Sequence, residues 1–160
     1  MKKSYFKTKT RPASVGGRRT LEEMKHNELV HLLDAEISFF VRASEAIKAG
    51  SPVIKCYTCG SPYYWQAMDC GHFEPRAEIG TRWDLNNLRP QCKRCNWTLE
   101  GNKVEYKRLL EAELGKDVVD QLHVIAQGYR GAKIPREWLI EQIKLWRAKN
   151  APLRKEVKCL

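Results

Sequence analysis

The chain has 160 residues and a mass of 18.6 kDa, with 42% hydrophobic and 30% charged residues. That is one domain of ordinary size with enough apolar content for a core, and it excludes wholesale disorder. No run approaches the ~20 apolar residues of a membrane span. The basic start Met1-Lys2-Lys3 has no apolar stretch behind it, so no secretory signal is expected and the expected compartment is cytoplasmic. There cysteines stay reduced, and the six present are not read as disulfides. The formal charge of +10 points to a polyanionic partner, of which nucleic acid is the commonest inside cells.

Residues 1–20 carry seven basic groups and no acidic one, with Pro12, Gly16 and Gly17 and almost no apolar pattern. They read as a flexible basic arm able to hold a phosphate backbone without reading its sequence. Residues 21–52 form an N-terminal helical segment. Thr20 and Glu23 make a capping box, and Leu29, Leu32, Leu33, Glu36, Ile37, Phe40, Val41 and Ile47 make a broad stripe at helical spacing. Asn27 is a candidate breakpoint, and Gly50-Ser51-Pro52 is the stop. Residues 53–102 hold five of the six cysteines and short β-like pieces such as Tyr63 to Met68, which is the character of a site module. Residues 103–160 return to helices, over 104–114 ended by Gly115, 117–127 ended by Gly128, and 135–149 ended by Asn150 and Pro152. A basic tail follows. Residues 103–160 carry thirteen basic and eight acidic groups, whereas residues 56–102 are balanced at five of each. The scaffold around the module is therefore expected to supply much of the attraction for phosphate. The fold class expected is α+β, a small zinc module embedded among helices.

The chemistry lies in the module. Cys56-Tyr57-Thr58-Cys59 and Cys92-Lys93-Arg94-Cys95 are two Cys-x-x-Cys knuckles with 32 residues between them. Each knuckle turns two thiolates toward one point, and two knuckles fill a tetrahedral Zn2+ shell with no position left for substrate, so the zinc is structural. A redox dithiol needs only one such knuckle. Cys70 and Cys159 remain, read as a buried residue and a tail residue. Between the knuckles lies Asp69-Cys70-Gly71-His72-Phe73-Glu74-Pro75-Arg76; Asn87 stands before the second knuckle and Asn96 directly after it. Asp69 and the Asn96 amide oxygen suit a hard divalent cation, Mg2+ or Mn2+. His72 suits the role of general base toward an attacking water, and Asn87 that of holding the backbone or the imidazole. Together they are equipped for metal-assisted phosphodiester hydrolysis. Arg76, Arg82, Arg89, Lys93 and Arg94 are candidates to flank the phosphate. Trp65, Trp83 and Trp97 are read as core, and Trp138 and Trp146, on one helical face, as packing or a dimer surface. Taken singly, His72 reads better as a helper zinc ligand or a core histidine and Asn96 as a turn residue; taken together on the zinc frame, the site reading prevails.

The stretch Cys56-x-x-Cys59, His72-Phe73-Glu74-Pro75 and Asn87-Leu88-Arg89-Pro90-Gln91-Cys92-x-x-Cys95-Asn96 resembles the HNH, or ββα-metal, endonucleases with a four-cysteine zinc site. More narrowly, Asp69-x-Gly71-His72 with Cys95-Asn96 and Gly101-Asn102 resembles the NinG (Rap) recombination proteins of lambdoid phages, over roughly residues 35–149. The resemblance implies a phage recombination endonuclease in the host cytoplasm that cleaves branched DNA such as D-loops and Holliday junctions. His72 would be general base, Asp69 and Asn96 catalytic-metal ligands, and Asn87 the orienting residue. Symmetric cutting of a four-way junction would favour a homodimer. One departure stands out: many HNH enzymes carry the acid directly before the histidine, and here Asp69 is three positions away, so either a bulge at Gly71 brings it round or another group binds the cation. The alternative reading is a non-catalytic zinc-ribbon protein that binds nucleic acid or serves as a recombination adaptor.

Overall fold

Helix α1 (His26–Ala49) is the spine of the structure, a computed structural model that describes residues 19–160. The arm expected over residues 1–20 lies outside the described residues except for Arg19 and Thr20, and Arg19 pairs with Glu28 of α1 at 2.6 Å. Thr20 and Glu23 form their capping box on a single 3-10 turn, Leu21–Glu23. The chain breaks after it, and the Lys25 N–H donates to the Glu28 carboxylate to start α1. The break therefore precedes Asn27, which sits inside the first turn of α1. At the other end Gly50 adopts φ 58°, and the Gly50 and Ser51 N–H groups close on the Ile47 and Ala46 carbonyls, a Schellman cap that favours glycine.

The buried faces of α1 sort the core into parts. Leu29, Leu33, Ile37 and Val41 pack with Leu139, Ile143 and Trp146 of α4 (Arg136–Glu156) and with Cys70 and Leu88. Ala43 and Ala46 pack instead with Ile54, Trp65, Met68, Cys56, Cys92 and Cys95, against which Leu153 and Val157 also lie. A third cluster, Tyr106, Leu110, Val119 and Leu122, joins α2 (Lys103–Leu114) to α3 (Lys116–Gly128).

Helix α4 does not stop where the sequence predicts. It runs through Asn150 and Pro152 to Glu156. Proline in a helix interior removes one ladder bond and clashes with the preceding turn, at about 3 kcal/mol. Tertiary contacts override that signal. Asn150 is fully buried and its Nδ2 donates to the Glu36 carbonyl and carboxylate at 2.9 and 2.8 Å. Arg154 reaches the same carboxylate at 2.7 Å. With Leu153 and Val157 packed as above, the last turns gain more than the proline loses.

Two antiparallel two-stranded sheets complete a mixed α+β fold. Strands β1 (Val53–Lys55) and β2 (Pro62–Tyr64) flank the first knuckle, which is their turn. The β-like run Tyr63 to Met68 is divided: β2 ends at Tyr64 and a 3-10 turn, Trp65–Ala67, follows. Strands β3 (Asp69–His72) and β4 (Leu88–Gln91) pair without interruption from Asp69↔Gln91 to His72↔Leu88. The second knuckle follows β4 directly. Among the described residues no helix is long and apolar enough to cross a membrane.

Candidate functional site

The four knuckle cysteines converge. Their Sγ atoms all lie within 4.8 Å of one another, and Cys59 and Cys92 are 3.9 Å apart. Four Zn–S bonds of about 2.3 Å at tetrahedral angles need sulfurs about 3.8 Å apart, so this set is placed to hold a metal such as zinc. Backbone donors support it: the Cys92 N–H reaches the Cys56 sulfur at 3.3 Å and the Cys95 N–H the Cys92 sulfur at 3.5 Å. Burial pushes the Cys56 thiol up, but the N–H groups of Cys92, Cys59 and Thr58 outweigh it and bring it down to about 6. Burial pushes Cys95 up to about 12, with the Cys56 charge adding to it. One thiolate forms readily and resists the next, the situation a divalent cation relieves. Cys70 lies in the α1–α4 core and Cys159 is exposed.

Asp69 opens β3, and Asn96 sits on a single π turn (Arg94–Thr98) after the second knuckle. The structure brings the two side chains together. The Asn96 Nδ2 donates to Asp69 Oδ2 at 3.2 Å, and the Trp97 indole N–H donates to the same oxygen at 2.7 Å. Asp69 Oδ1 and Asn96 Oδ1 have no hydrogen bond among the described residues, so two oxygens are available to a hard cation.

His72 ends β3. Because successive strand side chains alternate, the unbroken register puts Asp69 on the face of Gly71 and His72 on the face of Cys70. There is no bulge at Gly71, so that route for bringing Asp69 round to His72 is absent. The space a Gly71 side chain would need is taken by Gln91, whose Cδ and Cγ would lie 2.7 and 2.8 Å from a Cβ there. The His72 Nε2–H donates to the Arg82 carbonyl at 3.2 Å, leaving Nδ1 as the basic nitrogen. Burial, joined by the Arg76 charge, pushes the imidazole down to about 4; the Arg82 and Cys70 carbonyls pull the other way without offsetting it. His72 is therefore neutral near pH 7.

Asn87 is fully buried and locks the loop that follows His72. Its Oδ1 accepts from the Glu74 N–H at 2.6 Å, and its Nδ2 donates to the Glu74 and Thr81 carbonyls at 3.2 and 2.9 Å. Asp84 caps the turn before it, accepting from the Asn86 N–H. Glu74 meets His123 at 3.2 Å. Asn102 takes a left-handed conformation at the start of α2.

Two arginines read from sequence as flanking the phosphate are committed elsewhere. Arg82 makes a part-buried ion pair with Asp34 at 2.7 Å, and Arg89 pairs with Glu113 at 2.7 Å. Burial works to raise the Asp34 carboxyl, but the Arg82 and Trp83 hydrogen bonds hold it below its ordinary value. Arg76, Lys93 and Arg94 are exposed, and none makes an ion pair among the described residues. The tryptophans divide as well. Trp65 is buried and Trp146 packs edge-on against Phe40, whereas Trp97 stands in solvent rather than in the core.

Other positioning groups carry no sequence signal of their own. The Lys103 ammonium donates to the His72 carbonyl at 2.7 Å and to the Phe73 carbonyl; burial lowers its pKa against the opposing Glu74 charge. The buried Tyr106 hydroxyl bridges the Gly71 and Asn87 carbonyls, each at 3.2 Å. Arg42 of α1 uses Nη1 to hold the Gln66 and Met68 carbonyls at 3.3 and 3.0 Å, just before Asp69. Gln91 donates to Thr58 Oγ1 and the Gly101 carbonyl at 3.1 and 2.8 Å, tying the first knuckle to the segment after the second.

A family model described as "Bacteriophage Lambda NinG protein" matches residues 7–158. The chain belongs to the NinG family. Curated NinG-family relatives include "Protein ninG" of Escherichia phage 933W and of Enterobacteria phage VT2-Sa, each 27% identical over 106 residues, covering 66% of this chain and 49% of theirs. "Protein ninG" of Escherichia phage lambda is 27% identical over 106 residues, 66% of this chain and 48% of its own. The chain thus spans about half the length of the curated NinG relatives it matches. No solved structure matches.

Proposed function

We propose that this NinG-family chain is a metal-dependent DNA endonuclease of the HNH, ββα-metal type that cleaves branched DNA in phage recombination, with a structural Zn2+ on Cys56, Cys59, Cys92 and Cys95. The observation that carries the proposal is the meeting of Asp69 and Asn96 beside the four-cysteine frame, each with an oxygen left uncommitted. When bound there, Mg2+ or Mn2+ would neutralise a non-bridging phosphate oxygen and the leaving oxyanion. Asp69 and Asn96 would hold the cation, and Trp97 and Asn96 orient the Asp69 carboxylate. His72, neutral at pH 7, would accept the proton of the attacking water at Nδ1 as the new P–O bond forms and the old one breaks, which requires the bound phosphate to reach from the Asp69 face of β3 to the His72 face. Lys103 and Asn87 fix the backbone from His72 onward, through the His72 and Phe73 carbonyls and the Glu74 peptide groups. Exposed Arg76, Lys93 and Arg94, with the basic scaffold, hold DNA through its phosphates, which suits recognition of branch shape rather than base sequence. A four-way junction would engage two chains.

A second reading has one observation in its favour. Asp69 and His72 project from opposite faces of β3, and His72 is largely buried with one nitrogen tied to Arg82. A zinc-ribbon protein that binds branched DNA without cutting it would need neither residue in a shared site.

Cleavage of a labelled four-way junction, a D-loop and a matched linear duplex separates the two, with Mg2+ or Mn2+ added to protein holding one zinc per chain. The nuclease reading expects metal-dependent cutting of the branched substrates that is lost in Asp69→Ala, Asn96→Ala and His72→Ala proteins of unchanged zinc content. Tight binding without cutting under either metal would overturn it. Cutting that survives His72→Ala would remove His72 as base and leave the cation site standing.

A further inference from the structure

Trp97 is the most exposed aromatic side chain among the described residues, with 73% of its surface in water. It follows Asn96 directly, and its indole N–H is held by Asp69 Oδ2 at 2.7 Å. Orienting a carboxylate needs only a small donor such as serine or asparagine, whereas a solvated indole exposes apolar surface that folding would otherwise bury. The ring is thus fixed at its polar edge and open on its surface. Two cations, Lys93 and Arg94, lead into the same turn, both exposed and without ion pairs among the described residues, while the carboxylates nearby are Asp69, which holds the indole N–H, and exposed Glu100 after the turn. A pinned aromatic face beside free cations is the arrangement by which proteins stack a base while holding its phosphates.

We propose that Trp97 is a stacking platform for an unpaired nucleobase next to the phosphate faced by Asp69 and Asn96. Bases inside a duplex have both faces covered by their neighbours, so only an unstacked base can occupy such a platform. The ring would therefore make the site prefer branched or single-stranded DNA over duplex. This rests on the nucleic-acid reading above and names the feature of the substrate that the site selects.

The test is binding, not cleavage. Zinc-loaded protein carrying His72→Ala is titrated into a labelled fork with unpaired bases at the branch and into a fully paired duplex of matched sequence, followed by fluorescence anisotropy. A 2-aminopurine at the branch reports stacking directly. From the usual strength of base–aromatic stacking, Trp97→Leu should weaken fork binding roughly 5- to 100-fold and change duplex binding by less than about twofold. Trp97→Phe, which keeps an aromatic face but cannot donate to Asp69, should retain most of the preference and the 2-aminopurine quenching. Equal effects of Trp97→Leu on fork and duplex, or no effect on either, would overturn the proposal. So would a Phe variant as weak as the Leu variant, because the indole N–H rather than the ring face would then be what matters. The nuclease reading fails separately: a wild-type protein that shows the Trp97-dependent preference yet never cuts overturns catalysis and leaves the platform.

Discussion

Replacing Gly71 with alanine should destabilise the protein by about 3 to 5 kcal/mol, although a Gly→Ala change usually stabilises a compatible strand or loop position by about 0.4–1 kcal/mol through the unfolded chain. The sign reverses because of Gln91. Its side chain is fully buried and occupies the place of a Gly71 Cβ, with Cδ 2.7 Å and Cγ 2.8 Å away. To admit the methyl group, Gln91 must leave, breaking its bonds to Thr58 and Gly101. Two buried hydrogen bonds contribute about 1 kcal/mol each, and crowding a filled core adds about 1–3 kcal/mol. Urea unfolding of zinc-loaded protein, read by far-UV circular dichroism at fixed zinc, measures the difference. The melting temperature should fall by roughly 10 °C for a chain of this length. The double-mutant cycle is the sharper test: in a Gln91→Ala background the obstruction is gone, and Gly71→Ala should then cost less than about 1 kcal/mol. A cost that is the same in both backgrounds, or a stabilised single mutant, would refute the reasoning.

Asn87→Ala should cost about 3 kcal/mol, since three bonds to the Glu74 and Thr81 backbone, one buried and two part-buried, are lost together; hydrogen exchange at residues 74–81 should speed up more than in the α1–α4 core, and uniform exchange would count against a local lock. His72 makes stability depend on pH. Its folded pKa of about 4 lies below the ordinary 6.5, so the unfolded chain binds the extra proton between these values and stability falls as pH drops through that window. The full effect is about 3 kcal/mol, absent above it and saturated below it. Unfolding free energies of wild-type and His72→Gln proteins from pH 7.5 to 4 should diverge in that direction, and a constant difference would remove the burial argument. Pro152→Ala should raise stability by about 1–3 kcal/mol by restoring a ladder bond inside α4; a lower melting temperature would mean the proline is needed for the α4 geometry.

The convergence of the four cysteines was legible because a Cys-x-x-Cys pair sets its own ligand geometry within four residues, and the end of α1 because Gly50 takes a left-handed turn. The failures share a cause. Asn150 and Pro152 read as a helix end locally, but Glu36 and the Ala43–Ala46 surface, more than a hundred residues earlier, hold α4 helical. Trp97 read as core because small modules hold little apolar volume, yet its partner is a carboxylate on β3. The meeting of Asp69 with Asn96 was anticipated from the knuckle frame. The face that each residue of β3 presents was not settled by sequence, because alternation decides it only once a bulge is excluded, and that took the register with β4. Lys103, Tyr106, Arg42 and Gln91 act on backbone or side-chain atoms brought near by folding, and no spacing rule announces such contacts.

The reach of α4 has a consequence for biosynthesis. Cys56, Cys59, Cys92 and Cys95 emerge from the ribosome well before Leu153 and Val157, which cover the cluster around them. During that interval the cluster lacks Leu153 and Val157 and packs only on α1 and on Ile54, Trp65 and Met68. Metal loading and exchange should be easiest on the nascent chain and should slow once the last turns of α4 dock. A ribosome stalled before residue 150 would then present a centre that exchanges its metal faster than the same centre with α4 docked, where access is left on the side of the exposed Cys59.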